Sequence, residues 1–251
     1  DKDTDNAYSI DYREKAPAGA FRDLFLDAEG NYDKKKAQFS LLSAGVPGSV
    51  AGFHHALTKY GTISWQKALE PAIRLAEEGF VIPHDLANTL ASKRYRARLS
   101  SDPAASKVFY KEDGSLFRAG EVLVQKDLAA TLKLLSKNGP SAFYKGEIAK
   151  LIVKEMERNG GLIDLEDLKN YSVKERPPLI GQYKDFTIVS MPPSSSGGTH
   201  LVQMLNMLED FPIKELGFGS SEVIHILAEV MKRAYADRSC LLYTSPSPRD
   251  P

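Results

Sequence analysis

Apolar residues recur at helical spacing in several segments of the chain. After Trp65 they return at positions i+4, i+7, i+8 and i+11, which is one face of an α-helix. Ser64 stands where an N-cap would accept a backbone N–H, and Gly79 stands where the helix would end. Three further amphipathic helices are predicted, with apolar faces formed by Leu128, Leu132 and Leu135; by Ile148, Leu151, Ile152 and Met156; and by Val223, Leu227, Val230, Met231 and Ala234.

Turn residues separate these helices. Asn138-Gly139-Pro140 ends the second of them and Asn159-Gly160-Gly161 ends the third. Asp164 then predicts the cap of a short helix, with Asp167 as the acidic residue of a capping box.

Runs rich in β-branched and aromatic residues predict three strands, AYSIDYRE, LIGQY and DFTIVSM. The last two follow each other across a turn at Lys184-Asp185, so they predict a β-hairpin. Because helices dominate and the strands come late, the pattern favours a layered α/β or α+β fold over a barrel. Residues 1–239 show no internal repeat and no linker, and we take them as one folded region.

Residues 240–251 break this pattern. The stretch CLLYTSPSPRDP holds three prolines within twelve residues and ends the helical period abruptly. It predicts a disordered tail that is foreign read-through sequence. A natural disordered tail is the alternative that composition leaves open.

Composition narrows the classes of function. Thirty-three basic residues balance thirty-three acidic ones, so no global field attracts nucleic acid or an anionic membrane. Cys240 is the only cysteine, which excludes a disulfide framework and thiolate metal sites. No apolar run approaches the roughly 20 residues that span a bilayer. The chain opens DKDTDNAYSIDY, without a signal-peptide pattern, as expected of a segment inside a longer protein.

Several generic active-site motifs are missing from the sequence. It contains no G-x-S-x-G nucleophile elbow, no G-x-G-x-x-G and no phosphate-binding P-loop. The five histidines never fall at H-E-x-x-H spacing. The adjacent His54 and His55 point to different faces of a helix, which makes them poor partners for one metal ion.

The stretch MPPSSSGGTH, residues 191–200, places hydroxyl groups and a histidine on a predicted strand-to-helix turn. His200 near Ser194, Ser195 and Ser196 suggests a base beside a nucleophile, but the local sequence offers no third group to orient that base. A structural explanation is favoured. Pro192-Pro193 stiffens the exit from the strand, and Gly197-Gly198 lets the next helix pack closely on the sheet.

Arg13, in DYREKAP at residues 11–17, is a candidate for ligand binding. It lies at the predicted end of a strand, where a guanidinium group can present a planar fork to a carboxylate. Residue chemistry alone leaves a second explanation open, an ordinary ion pair with Asp11 or Glu14.

Seven motifs follow one another along the chain: DYREKAP at 11–17, SAGVPGSVAGFHHALTKYGT at 43–62, ALEPAIRLAEEGF at 68–80, NGPSAFYKGEIA at 138–149, NGGLIDLEDLKNY at 159–171, SMPPSSSGGTHLVQMLN at 190–206 and AYADRS at 234–239. In content and order they resemble the large subunit of the γ-glutamyltranspeptidase (glutathione hydrolase) family. The resemblance covers nearly all of residues 7–239, so it is far more specific than any single motif.

The resemblance implies an N-terminal nucleophile hydrolase. The fold would be part of a four-layer αββα sandwich, incomplete here because the small subunit is missing. Such an enzyme is made as a precursor that cuts itself, leaving a threonine at the new N-terminus of the small subunit. That hydroxyl attacks a γ-glutamyl amide such as glutathione, and water or an amino acid or peptide then accepts the γ-glutamyl group. No metal and no organic cofactor is implied.

One residue role carries over from the family, the grip of Arg13 on the α-carboxylate of the substrate. The catalytic threonine is expected beyond this chain, because neither Thr199 nor Thr244 matches the family's Thr-Thr-His-Tyr-like junction. Ser194, Ser195 and Ser196 are expected to be structural. The partners implied are the small subunit and small γ-glutamyl substrates, with no nucleic acid, and the location implied is periplasmic, secreted or on the outer face of a membrane.

A different class of function remains as the alternative. In that interpretation the chain is a non-catalytic α/β module, which uses Arg13 and the glycine-rich turn to bind a small anionic ligand.

Overall fold

The computed structural model describes the backbone of residues 6–243 and the side chains of residues 6–239. The chain divides into two compact units, a larger unit of residues 12–172 and a smaller unit that combines residues 1–11 with 173–251. The mixture of helices and strands confirms the predicted α/β class. The described residues form three two-stranded antiparallel sheets, and a four-layer sandwich requires further strands.

The larger unit is mostly helical. Its α-helices are α1 (Lys34–Phe39), α2 (Ser49–Tyr60), α3 (Trp65–Glu78), α4 (His84–Ala91), α5 (Lys93–Ser100), α6 (Pro103–Phe109), α7 (Lys126–Asn138), α8 (Ser141–Tyr144), α9 (Glu147–Asn159) and α10 (Leu165–Lys169). A 3₁₀ turn covers Leu41–Ser43, and β2 (Phe80–Val81) pairs antiparallel with β3 (Val122–Leu123). Strand β1 precedes this unit in the chain at Ser9–Asp11.

The predicted helix ends are confirmed where capping groups define them. The Ser64 hydroxyl accepts the Lys67 N–H at 3.2 Å and caps α3. Asp164 and Asp167 form the predicted capping box at the start of α10. Gly160 ends α9 in the left-handed conformation, which costs a glycine little because it has no Cβ.

The core of the larger unit is built where α2, α8, α9 and α10 meet. Its buried side chains are Val46, Tyr144, Ala149, Ile163 and Leu168. The predicted apolar face of α9 is confirmed at Ile148, Ile152 and Met156, which pack into this core or the cluster beside it. Leu151 departs from the prediction and is 60% exposed, because it lies far round the helix from the centre of that stripe.

The smaller unit carries the remaining elements. They are β1, β4 (Lys174–Arg176), β5 (Leu179–Tyr183), β6 (Phe186–Ser190), α11 (Ser196–Leu208), α12 (Ile213–Leu216) and α13 (Ser221–Tyr243). Strand β1 pairs with β4, and β5 pairs with β6. On α13, Val223, Val230 and Ala234 are buried as predicted, whereas Met231, at the edge of the stripe, is exposed.

The predicted β5–β6 hairpin is confirmed. Tyr183 pairs with Phe186, so the turn lies at Lys184 and Asp185, as predicted. Gly181 faces Val202 of α11 so closely that an added Cβ would force the two apart, so this face of the hairpin packs on the helix. On the opposite face, Ile180 lies directly across from Val189, and these residues are 64% and 53% exposed. This face of the hairpin therefore exposes one apolar cross-strand pair, next to the polar pair of Gln182 and Thr187.

Two predicted boundaries are wrong. The strand predicted over AYSIDYRE is only the three residues of β1, so Arg13 follows the strand by two residues rather than ending it. The last helix does not stop at Ser239 but continues to Tyr243, since the break residues begin later, with Ser245 and Pro246. Residues 244–251 of the predicted tail lie outside the described residues.

The close approach predicted for Gly197-Gly198 belongs to Gly198 alone, which yields a test with a built-in control. A Cβ at Gly198 would overlap the carbonyl oxygen of Met191, whereas a Cβ at Gly197 would meet only the Ser195 hydroxyl at 3.4 Å. We expect Gly198→Ala to destabilise the chain by about 1–3 kcal/mol through overpacking. Gly197→Ala should be neutral, or stabilising by up to about 1 kcal/mol from helix propensity.

Urea unfolding midpoints at unchanged m-value measure both effects. Equal midpoints for the two variants would contradict the assignment of the close contact to Gly198.

Candidate functional site

The main chain of DYREKAP lies against the first turns of α2, and two glycines allow it. A Cβ at Gly48 would overlap both the Tyr171 hydroxyl and the carbonyl oxygen of Tyr12. A Cβ at Gly52 would overlap the Tyr12 ring. The glycines of SAGVPGSVAGF are therefore the reason that the segment containing Arg13 can lie so close to α2.

The backbone at Arg13 is fixed by a tyrosine from the end of α10. The Tyr171 hydroxyl donates to the Arg13 carbonyl oxygen at 2.8 Å. The Tyr171 ring is stacked on Tyr144, with ring centroids 5.5 Å apart and planes 11° from parallel. Lys15 completes the arrangement with its ammonium group 4.9 Å from the centre of the Tyr171 ring.

Tyr144 anchors this stack to the loop before α2. Its hydroxyl donates to the Pro47 carbonyl oxygen at 2.8 Å and accepts from the Ala51 N–H at 3.3 Å. Burial raises the pKa of Tyr144, so the hydroxyl keeps its proton and remains a donor.

Backbone pairing holds the residues that follow Arg13. Lys15 N–H donates to the Val46 carbonyl at 3.2 Å, and Val46 N–H donates back to Lys15 at 2.7 Å. Asp167, the capping-box residue of α10, also accepts the Ala18 N–H at 2.8 Å. Hydrogen bonds thus hold the main chain at Arg13 and at the residues that follow it, which fixes the point from which the side chain extends.

The Arg13 side chain itself is half exposed, at 49%. Its nearest Glu14 oxygen is 4.0 Å away, at the limit of an ion pair, and Glu14 is more exposed still. Asp11, the other predicted partner, accepts a hydrogen bond from Arg176 at 3.0 Å. A loose, exposed pair of this kind contributes little to stability. The guanidinium group therefore combines a fixed backbone with an exposed planar fork, which suits recognition of a carboxylate.

The serine-rich turn has structural contacts. The Ser195 hydroxyl accepts the Gly197 N–H at 3.3 Å as the N-cap of α11. The Ser196 hydroxyl accepts from Arg238 Nε at 3.0 Å. These two hydroxyl groups are therefore engaged in shaping the start of α11 and tying it to α13.

His200 is buried, and its Nδ1 lies 2.8 Å from the Ser196 carbonyl oxygen. Because a carbonyl can only accept, the ring donates from Nδ1 in this contact. Nε2 is buried, and among the described residues it has no hydrogen-bond partner. The ring faces the backbone rather than a serine hydroxyl, so its described contact is not that of a base activating a nucleophile.

Other site types can be assessed only over the described residues. Within them, no group of three or more His, Cys, Asp or Glu side chains is arranged to hold a metal ion. The same part of the chain has no helix with the length and apolarity needed to cross a bilayer.

Sequence reasoning suggested Arg13 as a binding residue but missed the residues that hold its backbone. Tyr144 and Tyr171 lie inside two of the motifs, yet neither was assigned a role. Contacts 97 and 158 residues apart in the chain cannot be read from local pattern.

The model of the Gamma-glutamyltranspeptidase family matches residues 1–248. The "Glutathione hydrolase proenzyme" of Escherichia coli strain K12 is 48% identical over 234 residues, which are 93% of this chain and 40% of that protein. The "Acylase ACY 1 proenzyme" of Pseudomonas sp. strain V22 is 39% identical over 236 residues, covering 92% of this chain and 42% of that one. The chain thus spans about 40% of the length of these curated relatives.

A solved structure agrees with these sequence matches. The crystal structure of Helicobacter pylori gamma-glutamyltranspeptidase superposes with a TM-score of 0.89 at 42% identity. The match covers 98% of this chain and 74% of that chain.

Removal of one hydroxyl group tests how the Arg13 backbone is held. We expect Tyr171→Phe to lower the free energy of unfolding by about 0.5–1.5 kcal/mol, because the hydrogen bond to the Arg13 carbonyl is lost. Tyr235→Phe is the matched control, since the Tyr235 ring is exposed. Hydrogen–deuterium exchange should accelerate in residues 12–17 of Tyr171→Phe more than in α13. Uniform acceleration along the chain would show that Tyr171 acts only on global stability.

Proposed function

The chain belongs to the γ-glutamyltranspeptidase family, and from that premise we propose that it is the large-subunit part of an enzyme that cleaves γ-glutamyl amides such as glutathione. The γ-glutamyl group passes to water or to an amino acid or peptide acceptor. The observation that carries the proposal is the family match over residues 1–248, supported by the 48% identity to a glutathione hydrolase proenzyme. The same match favours an enzyme over a non-catalytic anion-binding module.

The nucleophile is proposed to lie in the remaining part of the precursor, since the chain spans about 40% of such relatives. A threonine hydroxyl, freed at a new N-terminus by self-cleavage, attacks the γ-carbonyl carbon while its own α-amine takes the proton. The C–N bond breaks, the proton passes to the leaving amine, and a γ-glutamyl ester forms on the threonine. Water or an acceptor amine then attacks the ester and regenerates the hydroxyl. Neither a metal nor an organic cofactor takes part in these steps.

Arg13 is proposed to bind the α-carboxylate of the γ-glutamyl group. Its fork is half exposed on a backbone fixed by Tyr171 and by the Lys15–Val46 pairing. Two parallel hydrogen bonds from one guanidinium set the orientation of the carboxylate as well as its position. Fixing one end of the substrate holds the γ-amide, three carbons away, at a defined place relative to the nucleophile.

A small subunit of the same precursor is the proposed partner. The exposed Ile180–Val189 face of the β5–β6 hairpin supports this, because a sandwich buries such a face against a second sheet. The word proenzyme in the names of the relatives is consistent with a precursor that is cut. By the same resemblance we propose a periplasmic, secreted or outer-membrane-face location.

A charge-conserving substitution tests the role of Arg13. In the full precursor, Arg13→Lys should lower kcat/KM for a γ-glutamyl anilide by about ten- to a hundredfold, because a lost charged hydrogen bond costs about 1.5–3 kcal/mol. The 4-aminobutanoyl anilide lacks the α-carboxylate, so its slow turnover should change little. Arg22→Lys is the matched control, as the Arg22 side chain is 97% exposed.

If Arg13→Lys slows both anilides equally, Arg13 supports the fold rather than reading the carboxylate. Unchanged kinetics on both substrates would favour the other explanation of Arg13, an ion pair with Glu14.

Expression of this chain without the remaining part of the precursor tests the proposal that the nucleophile lies outside it. The 251-residue chain alone should release no product from a γ-glutamyl anilide, since no residue in it matches the nucleophile. Co-expression with the remaining part of the precursor should restore turnover and reduce binding of a dye that reports exposed apolar surface. Steady turnover by the purified chain that survives simultaneous Ser194→Ala, Ser195→Ala and Ser196→Ala would refute this assignment.

A further inference from the structure

A second candidate site lies in the larger unit, in a cleft of about 810 Å³. Helices α4 and α5 form one side, and the loop that runs from Tyr110 to β3 forms the other. Its walls combine apolar and charged side chains, including Ala87, Leu116, Phe117, Arg96, Lys111 and Arg118. The volume is within the range of small-molecule sites and far exceeds that of a single inorganic ion.

The charge of this cleft is unbalanced. Among the described residues that line the cleft, Glu121 is the only carboxylate, and it already has partners. Its Oε1 accepts from Lys111 Nζ at 2.7 Å, and its Oε2 accepts the Arg118 N–H at 2.7 Å. These bonds hold the pKa of Glu121 below its ordinary value, so it is a fixed counter-charge for Lys111.

The guanidinium groups of Arg96 and Arg118 are the charges left over. Over the described residues, neither group forms a direct ion pair with a carboxylate, although the charge of Arg118 also contributes to the lowered pKa of Glu121. Both arginines are exposed at the cleft, where a ligand can reach them. Two guanidinium groups beside one neutralised Lys–Glu pair leave the cleft with a net positive charge of two.

Helix α5 adds to this imbalance. Four of its eight residues are basic and none is acidic, although the chain as a whole is neutral. Lys93 and Arg96 are three residues apart, and Arg94 and Arg98 are four apart, so like charges adjoin on the helix surface and destabilise it. Arg98 is accounted for by its position over the Phe39 ring, 4.4 Å from the centre. A bound anion would reduce the repulsion among the other basic side chains of α5, Lys93, Arg94 and Arg96.

We propose that this cleft binds a small organic dianion, a dicarboxylate or a phosphate monoester, whose acidic groups pair with Arg96 and Arg118. The planar fork of each arginine fits either group bidentately. Leu116 and Phe117 supply an apolar surface for the carbon body of the ligand. The proposal does not depend on the function proposed above.

Calorimetric titration of the 251-residue chain tests the site with two probes, glutarate and glycerol 2-phosphate, and with acetate as a monoanion control at constant ionic strength. Saturable binding of one or both dianions is expected, with acetate at least about tenfold weaker because it pairs with one arginine. The dianion that binds more tightly shows whether the cleft prefers a dicarboxylate or a phosphate monoester. Absence of saturable binding of both dianions up to about 10 mM would overturn the proposal.

Substitutions locate the binding. The double variant Arg96→Gln/Arg118→Gln should bind the preferred dianion at least about a hundredfold more weakly, roughly tenfold for each arginine lost. Arg22→Gln is the control at a fully exposed arginine and should bind like the parent chain.

Arg96→Lys/Arg118→Lys keeps the charge but loses both forks, so its affinity should be intermediate. If the glutamine variant does not fold, the lysine variant by itself tests whether Arg96 and Arg118 bind the dianion. Parent-like affinity in both double variants would place the anion elsewhere and overturn the proposal.

Discussion

The position of Arg13 depends on the absence of side chains at Gly48 and Gly52. At each glycine the neighbouring chain lies inside the volume that a Cβ would occupy. That approach brings Tyr12 onto α2 and lets the Tyr171 hydroxyl reach the Arg13 carbonyl. Because the tyrosine stack also rests on the core residue Tyr144, the arginine backbone is supported from the hydrophobic interior outward. The support fixes where the arginine leaves the backbone, while the side chain itself stays half exposed.

Close contacts at glycines also occur in the smaller unit, where they let α11 pack on the strands. Gly198 lets the start of α11 touch the Met191 carbonyl, and Gly181 lets Val202 settle on the hairpin. Serine hydroxyls then cap α11 and accept from Arg238 of α13. This packing covers one face of the hairpin and leaves the Ile180–Val189 face exposed. An exposed apolar pair of this kind agrees with the small subunit proposed above as a partner.

Charge is balanced over the chain but not over its surface. Equal numbers of acidic and basic residues argue against a field that attracts nucleic acid. Locally, however, α5 holds four basic residues with no acid, and the cleft beside it retains two arginines beyond its internal ion pair. Net charge therefore describes how the molecule behaves at a distance, whereas binding is decided within the few ångströms over which unscreened charges act.

The sequence by itself determined much of this protein. Capping residues and glycine stops located α3, α9 and α10, and two residues between apolar runs located the β5–β6 hairpin, because these signals act over a few neighbouring positions. The ordered motifs indicated the family and singled out Arg13. The predicted apolar faces were too wide at Leu151 and Met231, which lie away from the centre of each buried stripe, and the pattern failed where a strand needs a distant partner, as in the shortened β1. Only the tertiary structure decided which glycine carries the close contact, which tyrosine holds Arg13, and which arginines share a cleft. Each of these depends on residues far apart in the chain, and no spacing rule along a sequence encodes their distance in space.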